Sequence, residues 1–128
     1  MPPVTQTEAW QALAEHQRAI AGRQMRQMFR DDPGRFARFS LRFEDILLDY
    51  SKNRVSEETM RLLAALAGKA GVKEWTEQLF TGEKINITEN RAVLHIALRN
   101  RSNRPILVDG KDVMPDVNRV LKQMREFS

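Results

Sequence analysis

The sequence ILLDYSKNRVSEETM, residues 46–60, joins a predicted strand to a strongly specified helix start. Residues 46–50 are mostly apolar and predict a buried strand. Ser56 is a good N-cap because its hydroxyl can accept a hydrogen bond from an amide of the first helical turn. Glu57 and Glu58 then suit the positive end of the helix dipole. The stretch therefore predicts strand, loop and helix in close succession.

The helix that follows Ser56 is amphipathic, and Gly71 stands where a left-handed residue commonly ends a helix. A shorter helix from about Lys73 to Phe80 is predicted to end at Gly82 in the same way. The predicted inner face of the first of these helices consists of Met60, Leu63, Leu66, Ala67 and Ala70.

Upstream of residue 46, apolar side chains alternate with polar ones at Phe39, Leu41 and Phe43, which predicts a half-buried strand. With the strand at 46–50 it forms either a hairpin or one bent ribbon. Asp32-Pro33-Gly34 breaks the preceding pattern, since proline lacks an amide donor and glycine accepts turn dihedrals. Asp32 is predicted to cap a short turn that runs through Phe36.

The first helix is predicted to start at a capping box formed by Thr5 and Glu8. Its apolar positions recur at spacings of three, four and seven, which predicts one continuous helix as far as Met28. They are Trp10, Leu13, Ile20, Ala21, Met25 and Met28.

Beyond Gly82, RAVLHIAL at 91–98 is apolar almost all round and predicts a helix buried on most sides that starts near Thr88. Residues 106–108 predict a short buried strand, and Asp109-Gly110 predicts a turn. A last amphipathic helix is marked by Val113, Val117, Val120, Leu121 and Met124. The expected class is mainly α with two or three short β-strands.

Composition narrows the class of protein. A chain of 128 residues is long enough for one domain, and the absence of cysteine excludes disulfides, thiolate metal sites and a catalytic thiol. No apolar run approaches the length of a membrane span, and no secretory leader is visible. A cytoplasmic, membrane-free protein is expected.

The sequence lacks the common nucleotide-binding and metal-binding motifs. Gly110-Lys111 is followed by Asp112, so the phosphate-loop pattern is broken, and no glycine-rich dinucleotide motif exists. The two histidines, His16 and His95, are far apart, so no metal site is expected. We expect His16 on a solvated helix face and His95 as a satisfied core residue.

The densest basic stretch is RNRSNR at 99–104, with Arg99, Arg101 and Arg104. It is typical either of a phosphate or nucleic-acid contact, or of helix C-terminal cations followed by a solvated loop. The second interpretation is favoured, because no aromatic residues are interleaved for base stacking and the net charge is only +4. No nucleic-acid partner is expected.

Three long strings resemble the metal-independent glucose-6-phosphate isomerase family: ILLDYSKNRVSEETM at 46–60, GEKINITENRAVLHIALRNRSN at 82–103 and PILVDGKDVMPDVNRVL at 105–121. The likeness extends more weakly to the first helix. It implies a cytoplasmic homodimer that interconverts glucose 6-phosphate and fructose 6-phosphate through a cis-enediol, with a glutamate moving the proton and no cofactor. Such proton transfer is general acid/base catalysis.

The family's signature GGRFS-type loop and its QxGVE-type glutamate segment are missing. Pro33-Gly34-Arg35-Phe36 imitates the first, but Ala37 replaces its hydroxyl residue, so the likeness is treated as a decoy. No catalytic, cofactor-binding or metal-binding residue is therefore expected. Residues 1–128 are expected to be the N-terminal helical segment of a larger α/β enzyme of the αβα sandwich type, inactive alone and lacking the following sugar-isomerase domains. The alternative is a free-standing basic binding or scaffold module.

Overall fold

The computed structural model describes residues 3–128 and confirms the mainly helical class. Its helices are α1 (Glu8–Ile20), α2 (Met25–Asp31), α3 (Arg35–Arg38), α4 (Glu57–Lys69), α5 (Val72–Thr81), α6 (His95–Arg99) and α7 (Met114–Phe127). Its strands are β1 (Ser40–Phe43), β2 (Ile46–Asp49), β3 (Leu107–Val108) and β4 (Lys111–Asp112), paired as two antiparallel hairpins, β1-β2 and β3-β4. The chain divides into two compact units, one ending at Ala70 and the other formed by Gly71–Ser128.

Helix α1 starts two residues later than the sequence predicts. Thr7 is the N-cap, and its hydroxyl accepts from the Trp10 amide at 3.3 Å. Thr5 instead lies in a 3-10 turn, Val4–Gln6. The predicted capping box of Thr5 and Glu8 is therefore wrong, because this tighter turn comes before the helix.

The single helix predicted through Met28 is also wrong, since the chain turns between α1 and α2. The Arg54 guanidinium donates to the Ala21 carbonyl at 2.7 Å, an oxygen that a continuous helix would use for the Met25 amide. Ile20 and Met28 are both buried, one on each side of the break. The break therefore lets two short helices each bury an apolar side chain.

Arg35, at the start of α3, is the central polar residue of the N-terminal unit and is 3% exposed. Its Nε donates to the Ser51 carbonyl at 2.7 Å. Its Nη2 donates to the carbonyls of Asn53 and Val55 at 2.7 and 2.9 Å. The guanidinium carbon also lies 4.6 Å from the centroid of the Phe39 ring. One cation thus holds the whole loop between β2 and α4.

The same loop is fixed at its start by Asp49. One carboxylate oxygen of Asp49 accepts from the Ser51 amide at 2.9 Å and from the Ser51 hydroxyl at 2.6 Å, and the other pairs with Lys52. These contacts, with the Lys52 hydrogen bond as the largest cause, lower the pKa of Asp49 to about 2. Ser51 itself is fully buried.

The short helix α3 begins without a side-chain cap, so the predicted capping role of Asp32 is wrong. The Asp32 carboxylate instead accepts from Arg38 at 3.3 Å. Gly34 occupies the N-cap position.

The β1-β2 pair is a hairpin, which resolves the choice between hairpin and bent ribbon. Leu41 pairs with Leu48 and Phe43 with Ile46, so these four side chains share one face. They are 61%, 57%, 71% and 67% exposed in that order. The predictions of a half-buried strand and of a second, more buried strand are therefore wrong, because nothing in the described residues covers this face. Of the apolar residues predicted for the first strand, Phe39 is buried, and it lies just before β1.

Helix α4 begins as predicted, with the Ser56 hydroxyl accepting from the Thr59 amide at 3.2 Å. Its buried residues are Thr59 and Leu62, whereas Leu63 is exposed. The predicted inner face is therefore rotated by about one position. Thr59 turns inward because its hydroxyl serves both the cap and a contact with α1, which a hydrophobic pattern does not register.

In the second unit, Gly71 and Gly82 flank α5 with φ of 73° and 81°, which confirms both predicted helix ends. Gly82 is also buried and approaches the Leu107 carbonyl so closely that a Cβ would be in hard contact with that oxygen. Helix α5 and β3 are thereby locked at a point where only glycine fits.

The helix predicted over 91–98 is much shorter. Residues 86–91 form a turn closed by hydrogen bonds between Asn86 and Arg91, and helix α6 spans only His95–Arg99. Thr88 uses its hydroxyl to donate to Asn86 and starts no helix. Asn90 has a φ of 51°, which a helix cannot accommodate.

The remaining elements follow the predicted order. Strand β3 pairs with β4 around the Asp109-Gly110 turn, but Leu107 is half-exposed, so the predicted buried strand is wrong. Helix α7 confirms the last amphipathic helix, and Met114 at its start is buried. Asp112 fixes this start by accepting from the amides of Ile106 and Met114 at 3.2 and 3.0 Å.

Arg35→Ala is expected to lower the free energy of unfolding by about 3 kcal/mol or more, because three carbonyls lose a charged donor. Arg38→Ala is the matched control in the same helix. Arg38 forms solvent-exposed ion pairs with Asp32 and Glu57, so its loss is expected to change the free energy of unfolding by no more than about 1 kcal/mol. Urea unfolding followed by circular dichroism measures both, and equal losses would contradict the role of Arg35.

Asp49→Asn is expected to reduce the acid dependence of stability. A carboxyl whose folded pKa of about 2 lies below its ordinary 3.8 stabilises the fold above the ordinary value, and this contribution is lost as pH falls through the folded value. The difference between the urea midpoints of the wild type and the variant should therefore narrow from pH 5 towards pH 2.5. A constant difference would show that the Asp49 pKa is not lowered.

Gly82→Ala is expected to destabilise the protein by about 1–3 kcal/mol more than Gly110→Ala. Both glycines have positive φ, so both variants carry the same backbone penalty, but a Cβ at Gly110 meets open space. Thermal unfolding of the two variants separates the contact with Leu107 from the dihedral cost. Similar melting temperatures would argue against the contact.

Candidate functional site

A cleft of about 830 Å³ lies in the N-terminal unit. Its floor contains Ile20, Met28, Phe39 and the buried Arg35, and the exposed charged side chains at its rim are those of Arg23, Asp31, Arg38, Glu57 and Glu58. The cleft therefore has a mostly apolar floor around one buried cation, and a charged rim.

Several of the charged side chains at the rim are paired with one another. Arg38 pairs with Asp32 at 3.3 Å and with Glu57 at 2.8 Å, and Asp31 accepts from the Gln27 amide at 2.6 Å. This arrangement ties α3 to α2 and α4. Such paired, exposed groups act as ties between elements and contribute little individually to stability.

Glu58, at the same rim, is paired with Arg61. The hydrogen bond from Arg61 lowers the pKa of Glu58, and the same bond raises the pKa of Arg61. An efficient general acid or base needs a pKa near the working pH. The pairing therefore moves both groups away from that role.

His16 lies at this cleft and is partly buried, so the expectation of a solvated histidine is wrong. Its Nε2 is 2.7 Å from the Thr59 hydroxyl oxygen, which also accepts from the Ser56 amide at 2.9 Å. The imidazole therefore links α1 to the first turn of α4.

A second cleft, of about 630 Å³, lies in the unit formed by Gly71–Ser128, and we call it the basic cleft. Arg99, Arg104 and His95 supply its polar side, and Phe80 and Ile96 form part of its apolar side. Ser102 lies between these groups at the loop. The sequence singled out this basic stretch, and the structure brings two of its three arginines together at one cleft.

His95 is exposed, so the predicted core position is wrong. The cause is the shortening of the helix to His95–Arg99, in which Ala97 is the buried residue. His95 instead faces the basic cleft, and its carbonyl accepts from the Arg99 guanidinium at 3.2 Å.

The described part of the chain, residues 3–128, holds no group of three or more His, Asp or Glu side chains positioned for a metal ion. None of the helices in that range is long and apolar enough to cross a membrane.

Sequence reasoning missed the importance of Arg35, which it treated as part of a decoy motif. The residues that bind its guanidinium lie 16 to 20 positions further along the chain. No local pattern indicates such a contact. The nearby Phe29 and Phe39, which flank the guanidinium at 5.7 and 4.6 Å, were the only available signal.

The chain is similar to known proteins of one family. The Phosphoglucose isomerase family model matches residues 49–128. Over 128 residues the chain is 62% identical to "Glucose-6-phosphate isomerase" of Methylococcus capsulatus, covering all of this chain and 23% of that protein. Over 120 residues it is 58% identical to "Glucose-6-phosphate isomerase 1" of Neisseria gonorrhoeae, covering 94% of this chain and 22% of that protein.

The chain thus spans just under a quarter of the length of the curated relatives that it matches. The family match covers more than half of the chain, and it includes the three strings that carry the resemblance except for the first three residues, 46–48. The chain therefore belongs to the phosphoglucose isomerase family, as the sequence predicted.

Proposed function

We propose that this chain is the N-terminal scaffold portion of a glucose-6-phosphate isomerase, an aldose-ketose isomerase that interconverts glucose 6-phosphate and fructose 6-phosphate. The observation that carries the proposal is 62% identity along all 128 residues to a protein bearing that name. The whole enzyme acts in the cytoplasm as a homodimer, in glycolysis and gluconeogenesis, without a cofactor. Sugar phosphate is its substrate, and neither nucleic acid nor membrane is a partner.

The catalytic residues of this enzyme lie outside the 128 residues, in sugar-isomerase domains of the αβα sandwich type. The absence of a GGRFS-type loop and of a QxGVE-type glutamate segment from the sequence supports this proposal. The lowered pKa values of Asp49 and Glu58 support it as well, because those carboxylates stay ionised at neutral pH and are poorly matched to proton transfer. The polar residues at the N-terminal cleft serve to hold helices together.

The isolated chain is expected to show no turnover of fructose 6-phosphate in a coupled assay that detects glucose 6-phosphate. The Methylococcus capsulatus isomerase, assayed in parallel, is the positive control. Turnover by the chain at a rate proportional to its concentration would mean that the catalytic groups are present within residues 1–128.

A chimeric isomerase tests whether this chain can serve as the N-terminal scaffold of an active enzyme. This chain replaces the matching 128 residues of the Methylococcus capsulatus protein, and the chimera is expected to retain turnover within about tenfold, because scaffold exchange at this identity preserves core volume and pattern. A folded chimera without turnover would contradict the proposal. A circular dichroism spectrum and a cooperative melting transition establish folding independently of activity.

A further inference from the structure

The basic cleft carries charge that its own chain leaves uncompensated. Within residues 3–128, neither Arg99 nor Arg104 forms an ion pair, and Arg101 between them forms none either. Elsewhere in the same unit, Lys84, Arg91, Lys111, Arg119 and Lys122 are each paired with a carboxylate, and within residues 3–128 only the separate Lys73 and Arg125 also form no ion pair. Among residues 3–128, no carboxylate lines the cleft.

The lining of the basic cleft also includes apolar side chains, one of which is well exposed. Phe80 is 63% exposed, and Ile96, Pro105 and Ile106 continue its surface. An exposed aromatic ring beside apolar neighbours is costly to leave in water and is typical of an interaction site. Arginine next to an aromatic residue is also the composition found at the centres of protein interfaces.

The loop that carries the arginines is held in shape by its own hydrogen bonds. The Asn100 amide group donates to the Arg104 carbonyl at 2.8 Å, and the Ser102 hydroxyl donates to the Asn100 side chain at 2.7 Å. Asn118 of α7 donates to the Asn103 side chain at 2.8 Å. A surface ordered before it binds loses less conformational entropy on association.

We propose that the basic cleft is the docking surface for an acidic and apolar polypeptide segment supplied by the remaining part of the isomerase chain. The inference rests on the proposed function. Charge complementarity selects carboxylates as the groups that meet Arg99 and Arg104, and the wall around Phe80 selects apolar side chains beside them. The relatives supply ample chain for this contact, since the match covers 23% and 22% of their lengths.

The test compares two double variants in the chimeric isomerase. Arg99→Ala with Arg104→Ala removes the cleft cations, and Lys73→Ala with Arg125→Ala removes the same charge from exposed positions that do not line the cleft and form no ion pair within residues 3–128. The cleft variant is expected to lower the melting temperature by at least about 3 °C more than the control. The difference should shrink in high salt.

In the isolated 128-residue chain the melting temperatures of the two variants should agree within about 1 °C, because the cleft arginines form no ion pair within residues 3–128 and Arg99 loses only one exposed hydrogen bond, to the His95 carbonyl. Equal melting temperatures in the chimera, or a cleft-specific loss already present in the isolated chain, would overturn the proposal. If the full exchange does not fold, a smaller exchange of residues 80–106 into the Methylococcus capsulatus isomerase allows the same comparison.

Titration of the isolated chain with phenyl phosphate addresses a small-molecule occupant. No saturable binding is expected, and binding that the Arg99→Ala, Arg104→Ala variant abolishes would reassign the cleft and overturn the docking proposal. Turnover of the unsubstituted chimera reports separately on the proposed function. If the unsubstituted chimera is active and the two double variants have equal melting temperatures, the docking proposal alone is rejected. If the chimera is folded but inactive, the proposed function is rejected.

Discussion

The fold of the N-terminal unit depends on one buried cation. Moving a guanidinium out of water costs several kcal/mol unless other groups replace its hydration. Around Arg35 this replacement is made by three backbone carbonyls at 2.7 to 2.9 Å and by the face of Phe39. Because those carbonyls belong to alternate residues of one loop, the loop has to wrap around the side chain. Helix α4 then starts where the loop leaves it, at Ser56.

Other polar groups near Arg35 form further contacts that hold the N-terminal unit together. Asp49 fixes the start of the loop, Arg54 ties it to the turn after α1, and Thr59 joins α4 to His16. Each of these contacts is a hydrogen bond between segments or within the loop. The described residues include few buried apolar side chains: Ile20, Met28, Phe39, Leu62, Ala97 and Met114. Hydrogen bonds between polar groups are therefore a major part of what stabilises the fold of this chain.

Two apolar surfaces of the described residues are exposed. The face formed by Leu41, Phe43, Ile46 and Leu48 is exposed, and a two-stranded hairpin alone is only marginally stable in water. The wall of the basic cleft around Phe80 is likewise exposed. Both features suit a chain that spans just under a quarter of the length of its relatives and is proposed to be completed by the rest of the enzyme. The sequence pattern placed the hairpin residues in half-buried and buried strands and Phe80 in a helix, and it did not predict that these side chains are exposed.

The sequence by itself determined the features that depend on near neighbours: family membership, the cap at Ser56, the glycine ends at Gly71 and Gly82, and the positions of β1, β2 and β3, whereas β4 was not predicted. It also located the basic stretch at 99–104. Only the tertiary structure decided what is buried, since burial depends on residues brought together from distant positions. Arg35 is buried because carbonyls 16 to 20 residues away accept from it, and His95 is exposed because a turn at 86–91 shortens its helix. Local pattern fixes a residue's conformation, and its surroundings are set by the fold.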